Sequence, residues 1–303
     1  MLTKEMNIQL DKPGTYVVAV SGGVDSMTLL NLLSNTVRPD QKIIVAHLDH
    51  GVRPDSKEDR LLVEKTSKDL GLNFIYNEAK LGPKASEEKA RQARYGFLDR
   101  VKQDNQAVAI VTAHHKDDLI ETAIINLIRG TGRKGLTSLS SQPDKLRPLL
   151  NYSKADILKY AQEQGIAWRE DSTNADTTYL RNYIRLKLLP RLNDSAKSKL
   201  FEIINNAAGF NEELDQALQI LLEDHAKDNQ IDRQWFVSLP HNLAMEVMAS
   251  YLRANNIRSF DSQTLEKLVV AAKVAERNRK FPIQKGYFLS INNNKLALTH
   301  SER

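Results

Sequence analysis

The hexapeptide Ser21-Gly22-Gly23-Val24-Asp25-Ser26 brings two kinds of chemistry into one short stretch. Paired glycines let the backbone turn sharply enough to aim consecutive N–H groups at one anion, and the hydroxyls of Ser21 and Ser26 add further donors. An apolar run, Val17-Val18-Ala19-Val20, precedes it and a helical run, Met27-Thr28-Leu29-Leu30, follows, so the loop stands where a strand hands over to a helix N-terminus. That setting is a phosphate cradle. It lacks the lysine of a Walker A loop, and Asp25 is available to hold a magnesium ion beside the phosphates. A Ser-Gly-Gly by itself is an ordinary strand-to-helix turn; the flanking runs and Asp25 favour the anion site.

A second constellation is His114-His115-Lys116-Asp117-Asp118, with Glu121 three residues further on. Residues three apart share a helix face, so Asp118 and Glu121 point the same way. Two carboxylates at a helix start either complement its dipole or receive a cation. The histidine pairs His114/His115 and His47/His50 raise zinc ligation, but they lie far apart and no third anchor is evident. Arg91 and Arg94 are also three apart: either a solvated face paired with Glu87 or Glu88, or an arm that meets an anion. Arg129, Arg133 and Lys134 surround a Gly-rich loop, and Arg181, Arg185, Lys187 and Arg191 line one side of a helical run, a track suited to phosphates.

The elements that must position these residues are legible from periodicity. Strands are expected at Tyr16–Val20, Lys42–His47, Asn73–Tyr76 and Ala107–Thr112, and helices at Ser26–Leu33, Ser56–Leu70, Ser86–Gln103 and Asp117–Arg129. Apolar strands alternating with helices imply a parallel sheet covered on both faces, whose ligands lie beyond the carboxyl ends of its strands. Further helices are expected near Ser153–Gln164 and at Leu180–Arg191, the latter stopping at Pro190, with a polar stretch at Glu170–Thr178 between them. Ala196–Lys227 reads as one long helix, with Leu200, Ile203, Ile204, Ala207, Phe210, Leu214 and Leu218 at helical spacing. After it come helices near Asn242–Asn255 and Asp261–Ala275, and a hairpin of Tyr287–Ile291 and Lys295–Thr299 about an Asn292-Asn293-Asn294 turn. The expected architecture is α/β: a parallel-sheet domain over 1–195, a helical linker over 196–227, and a small α+β domain over 228–303.

Composition narrows the function classes. The chain has 303 residues, no cysteine and a formal charge of +5. Disulfides, thiolate-held zinc, iron–sulfur clusters and thiol nucleophiles are thereby excluded. No apolar stretch approaches the roughly 18 residues of a membrane span, and no signal peptide is evident, so a cytoplasmic protein is expected. The charge is uneven: residues 129–191 carry 12 Lys/Arg against 6 Asp/Glu, whereas residues 1–128 carry 17 against 18 and residues 192–303 carry 14 of each. A central excess points to phosphate contact, where an even spread would be a solvated surface.

The loop Ser21–Ser26 resembles the S-G-G-x-D-S motif of the PP-loop ATP pyrophosphatases, which cleave ATP to AMP and pyrophosphate. Further blocks are similar to the tRNA(Ile)-lysidine synthetase family: His47–Arg53, Ala90–Tyr95, Thr112–Thr122, Arg129-Gly130-Thr131-Gly132, Arg147-Pro148-Leu149-Leu150, and Asp171-Ser172-Thr173-Asn174 through Arg181–Arg185. The resemblance covers about the first 190 residues. It implies an adenine-nucleotide alpha hydrolase-like fold, ATP and magnesium as cofactors, and L-lysine and a tRNA(Ile) with a wobble cytidine as partners. It also implies catalytic roles for Asp25, Arg94 and Asp118, with ATP bound by Ser21, Gly22, Gly23, Val24, Asp25 and Ser26. Lysine is expected at His114, Asp118 and Glu121, and tRNA at Arg133, Lys134, Arg181 and Arg185, with 228–303 as a second tRNA-binding element. Lys273, Arg277, Arg279 and Lys280 either hold the acceptor stem or form a solvated helix end. A homodimer stays open. The rival readings are a PP-loop tRNA thiolase, which would generally need cysteines; an amidotransferase-type ligase, which would need a glutaminase; and a non-catalytic RNA-binding module on a nucleotide fold.

Overall fold

A computed structural model describes residues 6–51, 56–82, 86–170, 180–257, 260–292 and 294–300. Val52, Arg53, Asp171–Asn174 and Asn293, named above, lie outside these. The chain forms two compact units, one from Met1–Arg129 and Leu136–Asn205, the other from Gly130–Gly135 and Asn206–Arg303.

In the first unit the strands are β1 (Gly14–Ala19), β2 (Gln41–Asp49), β3 (Asn73–Glu78), β4 (Ala109–Val111) and β5 (Lys145–Leu146). All pair in parallel in the order β3-β2-β1-β4-β5. Side chains alternate across the sheet. Val18 and Val45 therefore face one core with Leu29, Leu30 and Leu33 of helix α1 (Val24–Thr36), also packed by α2 (Ser56–Asp69). Val17, Ile44 and Ile110 face another core with Phe97, Leu98 and Val101 of α3 (Glu87–Asp104). Both faces are covered, as a parallel sheet requires. The order reverses at β1, whose neighbours β2 and β4 are reached by crossovers in opposite directions; the crevice beyond the carboxyl ends of β1 and β4 is the place where such sheets bind ligands.

Helix α4 (Lys116–Ile128) leaves the end of β4 and buries Leu119, Ile120, Ala123 and Ile125 against Leu139, Ile184, Leu189 and Ile204. The Gly-rich loop contains a single helical turn, α5 (Arg133–Leu136), and α6 (Lys154–Glu163) starts at a Ser153 cap. The helix expected over Leu180–Arg191 is not uniform: a turn α7 (Leu180–Tyr183) widens into a π-helical turn at Ile184–Leu188 and tightens at Leu189–Arg191. Pro190 has no N–H to donate, which breaks the regular ladder there.

Helix α8 (Asp194–His225) spans the boundary between the units in sequence. In the second unit, β6 (Ala226–Lys227) and β7 (Gln230–Asp232) join through Asp228 and Asn229, both at positive φ (51° and 55°), the signature of a tight hairpin turn. Helices α9 (Arg233–Ser238), α10 (His241–Ala254) and α11 (Ser262–Val274) follow, then β8 (Arg279–Gln284), β9 (Tyr287–Ile291) and β10 (Lys295–His300). The antiparallel sheet runs β6-β7-β10-β9-β8, over a core of Phe236, Met248, Leu252, Leu268, Leu289 and Leu296. The expected fold class holds in both units. The 287–299 hairpin is present, and β6, β7, β8 and α9 add to what periodicity indicated.

Candidate active site

A cavity of about 790 Å³ opens at the carboxyl ends of β1, β2 and β4. Its floor is the loop Ser21–Ser26. The Ser26 hydroxyl donates to the Gly23 carbonyl (2.9 Å) and accepts the Ser21 N–H (3.1 Å), while Ser21 Oγ accepts the Gly23 N–H (3.4 Å). These bonds fold the loop back on itself. Gly22 has φ +94°, a backbone setting that favours glycine, and a Cβ there would crowd Asp59 at 3.3 Å. Gly23 caps α1 with no side-chain acceptor, which leaves the first N–H groups of the helix to serve an anion.

The opposite wall is the start of α4. Asp118 lines the cavity and accepts the His115 N–H at 3.1 Å; one guanidinium, Arg185, reaches Asp118 (3.0 Å) and Glu121 (2.9 Å), and Arg181 lies 3.1 Å from the second Glu121 oxygen. Asp118 and Glu121 thus share a face, as their spacing predicts. The structure brings to them the two arginines that sequence reasoning had set apart on an RNA track. Glu121 is 1% exposed and lies behind the cavity wall. Burial pushes its pKa up to about 7, against the pull of Arg185 and Arg181. Burial also presses Asp118 upward, but His115, His114 and Arg185 outweigh it and hold that carboxyl below its ordinary value. His114 lies 2.8 Å from the Thr112 hydroxyl; burial, reinforced by Arg147, Arg94 and Arg91, lowers it to about 3 against Asp118, so its imidazole is neutral at pH 7.

Arg94 also lines the cavity, with its guanidinium 5.5 Å from the ring of Tyr95, which Arg91 (5.1 Å) and Lys145 (5.2 Å) approach as well. His47 is 3% exposed and its Nδ1 lies 2.8 Å from the Val20 carbonyl; burial lowers its pKa. Arg133 and Lys134 lie in the second unit, where Arg133 meets Asp215 (2.8 Å), Glu246 (2.9 Å) and Asn211 (2.8 Å), and Lys134 meets Asp215 (2.7 Å). Of the C-terminal cations, Lys273 donates to the carbonyls of Leu239 and Val237, and Arg279 pairs with Glu276 at 3.8 Å.

Sequence reasoning missed several residues of the wall. Lys154 donates to Asp25 at 2.6 Å. Asp117 accepts the Lys154 N–H at 2.8 Å, a role hidden beside the more prominent Asp118. Arg169 donates its N–H to the Gly22 carbonyl (3.0 Å) and its guanidinium to Asp59 (2.8 Å), bracketing the loop from outside, and Trp168 lines the cavity beside it. Lys154 carried one signal in the sequence: a cation at the first position of an expected helix, where the dipole disfavours it.

A parallel sheet with an anion loop after its first strand, a paired-carboxylate helix after its fourth and one cavity joining them invites comparison with known proteins. The PP-loop domain family matches residues 2–192. A tRNA(Ile)-lysidine synthase of Thermotoga sp. (strain RQ2) is 38% identical over 207 residues, covering 65% of this chain and 50% of that protein. Another, of Idiomarina loihiensis, is 30% identical over 290 residues, covering 90% of this chain and 64% of that protein. The chain therefore spans about half to two thirds of the length of these curated relatives. Among solved structures, the U34-tRNA thiolase NcsA of Methanococcus maripaludis, with its [4Fe-4S] cluster, aligns at a TM-score of 0.54 and 15% identity, covering 65% of this chain and 73% of that one, a likeness of fold. Strand order, loop, cavity and the match over residues 2–192 agree: the chain belongs to the PP-loop domain family.

Proposed function

We propose that the chain joins L-lysine to the wobble cytidine of tRNA(Ile) at the expense of ATP, forming lysidine. The observation that carries the reading is that the anion loop Ser21–Ser26 and the acidic wall at Asp118 line one cavity, an arrangement suited to a nucleotide beside a cationic amine. Similarity to tRNA(Ile)-lysidine synthases of several bacteria supports the choice of substrates.

In this reading the loop N–H groups and the Ser21 and Ser26 hydroxyls grip the phosphates of ATP. The cytosine carbonyl oxygen attacks the α-phosphorus, pyrophosphate leaves, and the lysine ε-amine then displaces AMP at the activated ring carbon. Adenylation is needed because ring oxygen is a poor leaving group until it carries a phosphoryl group. The chain's own task is orientation and charge stabilisation. Asp118 receives a lysine ammonium from the cavity side, while Glu121, locked to Arg181 and Arg185, fixes the charge behind it. Neutral His114 borders the amine, and Arg94 offsets a carboxylate or phosphate.

Magnesium fits the donor set to a limited degree: Asp25 is a cavity carboxylate in the loop itself, and magnesium binds through one or two carboxylates plus substrate phosphates and water. Among the described residues no group of three or more His, Cys, Asp or Glu could hold a metal, and no helix is long and apolar enough to cross a membrane. We place the reaction in the cytoplasm, with residues 228–303 as a second contact for tRNA.

The test is pyrophosphate release from ATP and total tRNA with each amino acid added separately. Lysine alone is expected to stimulate it, and Asp25→Ala to abolish it in a folded protein; stimulation by another amino acid, or release without tRNA, defeats the reading.

A further inference from the structure

The phosphate loop carries no cation of its own, although the chain of a nucleoside triphosphate brings several negative charges to it. Backbone N–H groups and two hydroxyls supply dipoles, which neutralise nothing by themselves. Among the described residues, the wall of the cavity supplies one ammonium group, that of Lys154, half-exposed and 2.6 Å from Asp25 in the loop, besides the guanidinium groups of Arg94 and Arg169.

We propose that Lys154 is a phosphate-chain cation of this site, contributed by the start of α6 in place of the lysine that a Walker A loop carries within itself. The inference rests on the reading that the cavity binds ATP. It goes beyond it by assigning a residue that no motif of the loop contains.

Three observations carry it. First, Lys154 occupies the first turn of α6, where the helix dipole opposes a positive charge, so helix stability does not account for it. Second, its backbone is held unusually firmly. Its N–H donates to Asp117 Oδ2 (2.8 Å), and the preceding Ser153 is closed by a reciprocal capping box in which its own N–H donates to Asp156 (2.8 Å) and its hydroxyl accepts from the Asp156 N–H (3.2 Å). Asp117 belongs to α4, so the helix bearing Asp118 also sets the position of Lys154. Third, its partner Asp25 is itself a loop residue, 31% exposed, so the ammonium lies at the loop and within the cavity. An ion pair between two groups this exposed adds little to stability. A fixed backbone under a mobile four-carbon stem is what a group serving phosphates requires.

The test uses the full chain in magnesium-free buffer containing EDTA, with ATP and adenosine as probes in equilibrium dialysis. Lys154→Met is expected to weaken ATP by roughly tenfold or more, the loss of one charge-assisted hydrogen bond, with adenosine unchanged within about twofold. Lys154→Arg, which keeps the charge, is expected to restore most of the ATP affinity. The same Lys154→Met change made in an Asp25→Asn background separates two origins of the loss. If Lys154 meets phosphate, the loss persists; if it only shields phosphate from Asp25, the loss disappears and the proposal is overturned. Equal losses for ATP and adenosine, or none for either, overturn it too. A wild-type protein that shows this Lys154-dependent ATP binding but no lysine-dependent pyrophosphate release would refute the ligase reading and leave this assignment standing.

Discussion

Two ion-pair clusters of nearly the same composition stand in very different surroundings. In the first unit, Arg181 and Arg185 meet Glu121 and Asp118; in the second, Arg133 and Lys134 meet Asp215 and Glu246. Burial presses both Glu121 and Asp215 towards the neutral form. At Glu121, 1% exposed, it wins and the pKa rises to about 7; at Asp215, whose side chain is 40% exposed, Lys134 and Arg133 win and the pKa falls below its ordinary value. Burial and local charge decide the sign together: burial prevails at Glu121, whereas Asp118 in the same cluster, also buried, is lowered because His115, His114 and Arg185 outweigh it. The same salt bridge is a poised, protonatable group at a cavity wall and a permanently charged clasp nearer the surface.

The largest expected difference lies in stability. Glu121→Ala empties a buried site and takes one partner from Arg181 and Arg185, and is expected to cost about 1–3 kcal/mol, whereas Arg133→Ala is expected to cost about 1 kcal/mol or less because water reaches its partners Asp215 and Glu246. Urea unfolding of the two variants measures both; equal losses would dissolve the comparison.

The clusters are next separated by their use of RNA. Replacing Arg133, Lys134, Arg181 and Arg185 together with alanine is expected to flatten the slope of log K for tRNA against log salt by about two to four units, at roughly 0.7–0.9 per phosphate contact. Making the two pairs of substitutions separately shows which cluster meets phosphate. An unchanged slope in the quadruple variant would reduce both clusters to structural pairs.

A smaller effect is expected at the amine. Asp118→Asn keeps the shape of the wall and removes its charge, so lysine affinity should fall roughly tenfold while ATP affinity holds. Calorimetric titration with each ligand checks this, and a loss confined to ATP would assign Asp118 to the phosphates instead.

The clusters also differ in the slope of stability with pH. The folded pKa of Glu121, about 7, exceeds its ordinary 4.5, so the folded state binds the extra proton between those values. Its stabilising contribution is complete below about pH 4.5 and lost as pH rises through about 7, at up to about 1.4 kcal/mol per pH unit. Asp215, with a lowered pKa, has the opposite sign: its contribution is present above its ordinary 3.8 and lost as pH falls further. Stability profiles of the wild type and Glu121→Gln should differ in the first window and coincide in the second.

What the sequence made legible was local. Helix α3 begins where Ser86 promised, because its hydroxyl accepts the Lys89 N–H, and a cap is specified within four residues. The parallel sheet followed from runs such as Tyr16–Val20, and Asp118 and Glu121 share a face because helical spacing fixes it. Strand β8 escaped notice because Pro282 and the irregular register after it blur the alternation along an edge strand. The partners of the site escaped for a different reason. Arg185 and Glu121 are 64 residues apart and Lys154 and Asp25 are 129 apart, and charge alone does not say which of many opposite charges a side chain will meet.

That last separation bears on how the protein is made. A ribosome adding about 5–20 residues per second releases the glycine loop on the order of ten seconds before the lysine that completes its surroundings. Through that interval the growing chain has the anion loop without the Lys154 cation, and for most of it without the acidic wall at Asp118. Full nucleotide affinity is therefore expected only after Lys154 has been made and α6 has closed on the sheet, which makes ATP affinity a reporter of the folded first unit rather than an aid to its early steps.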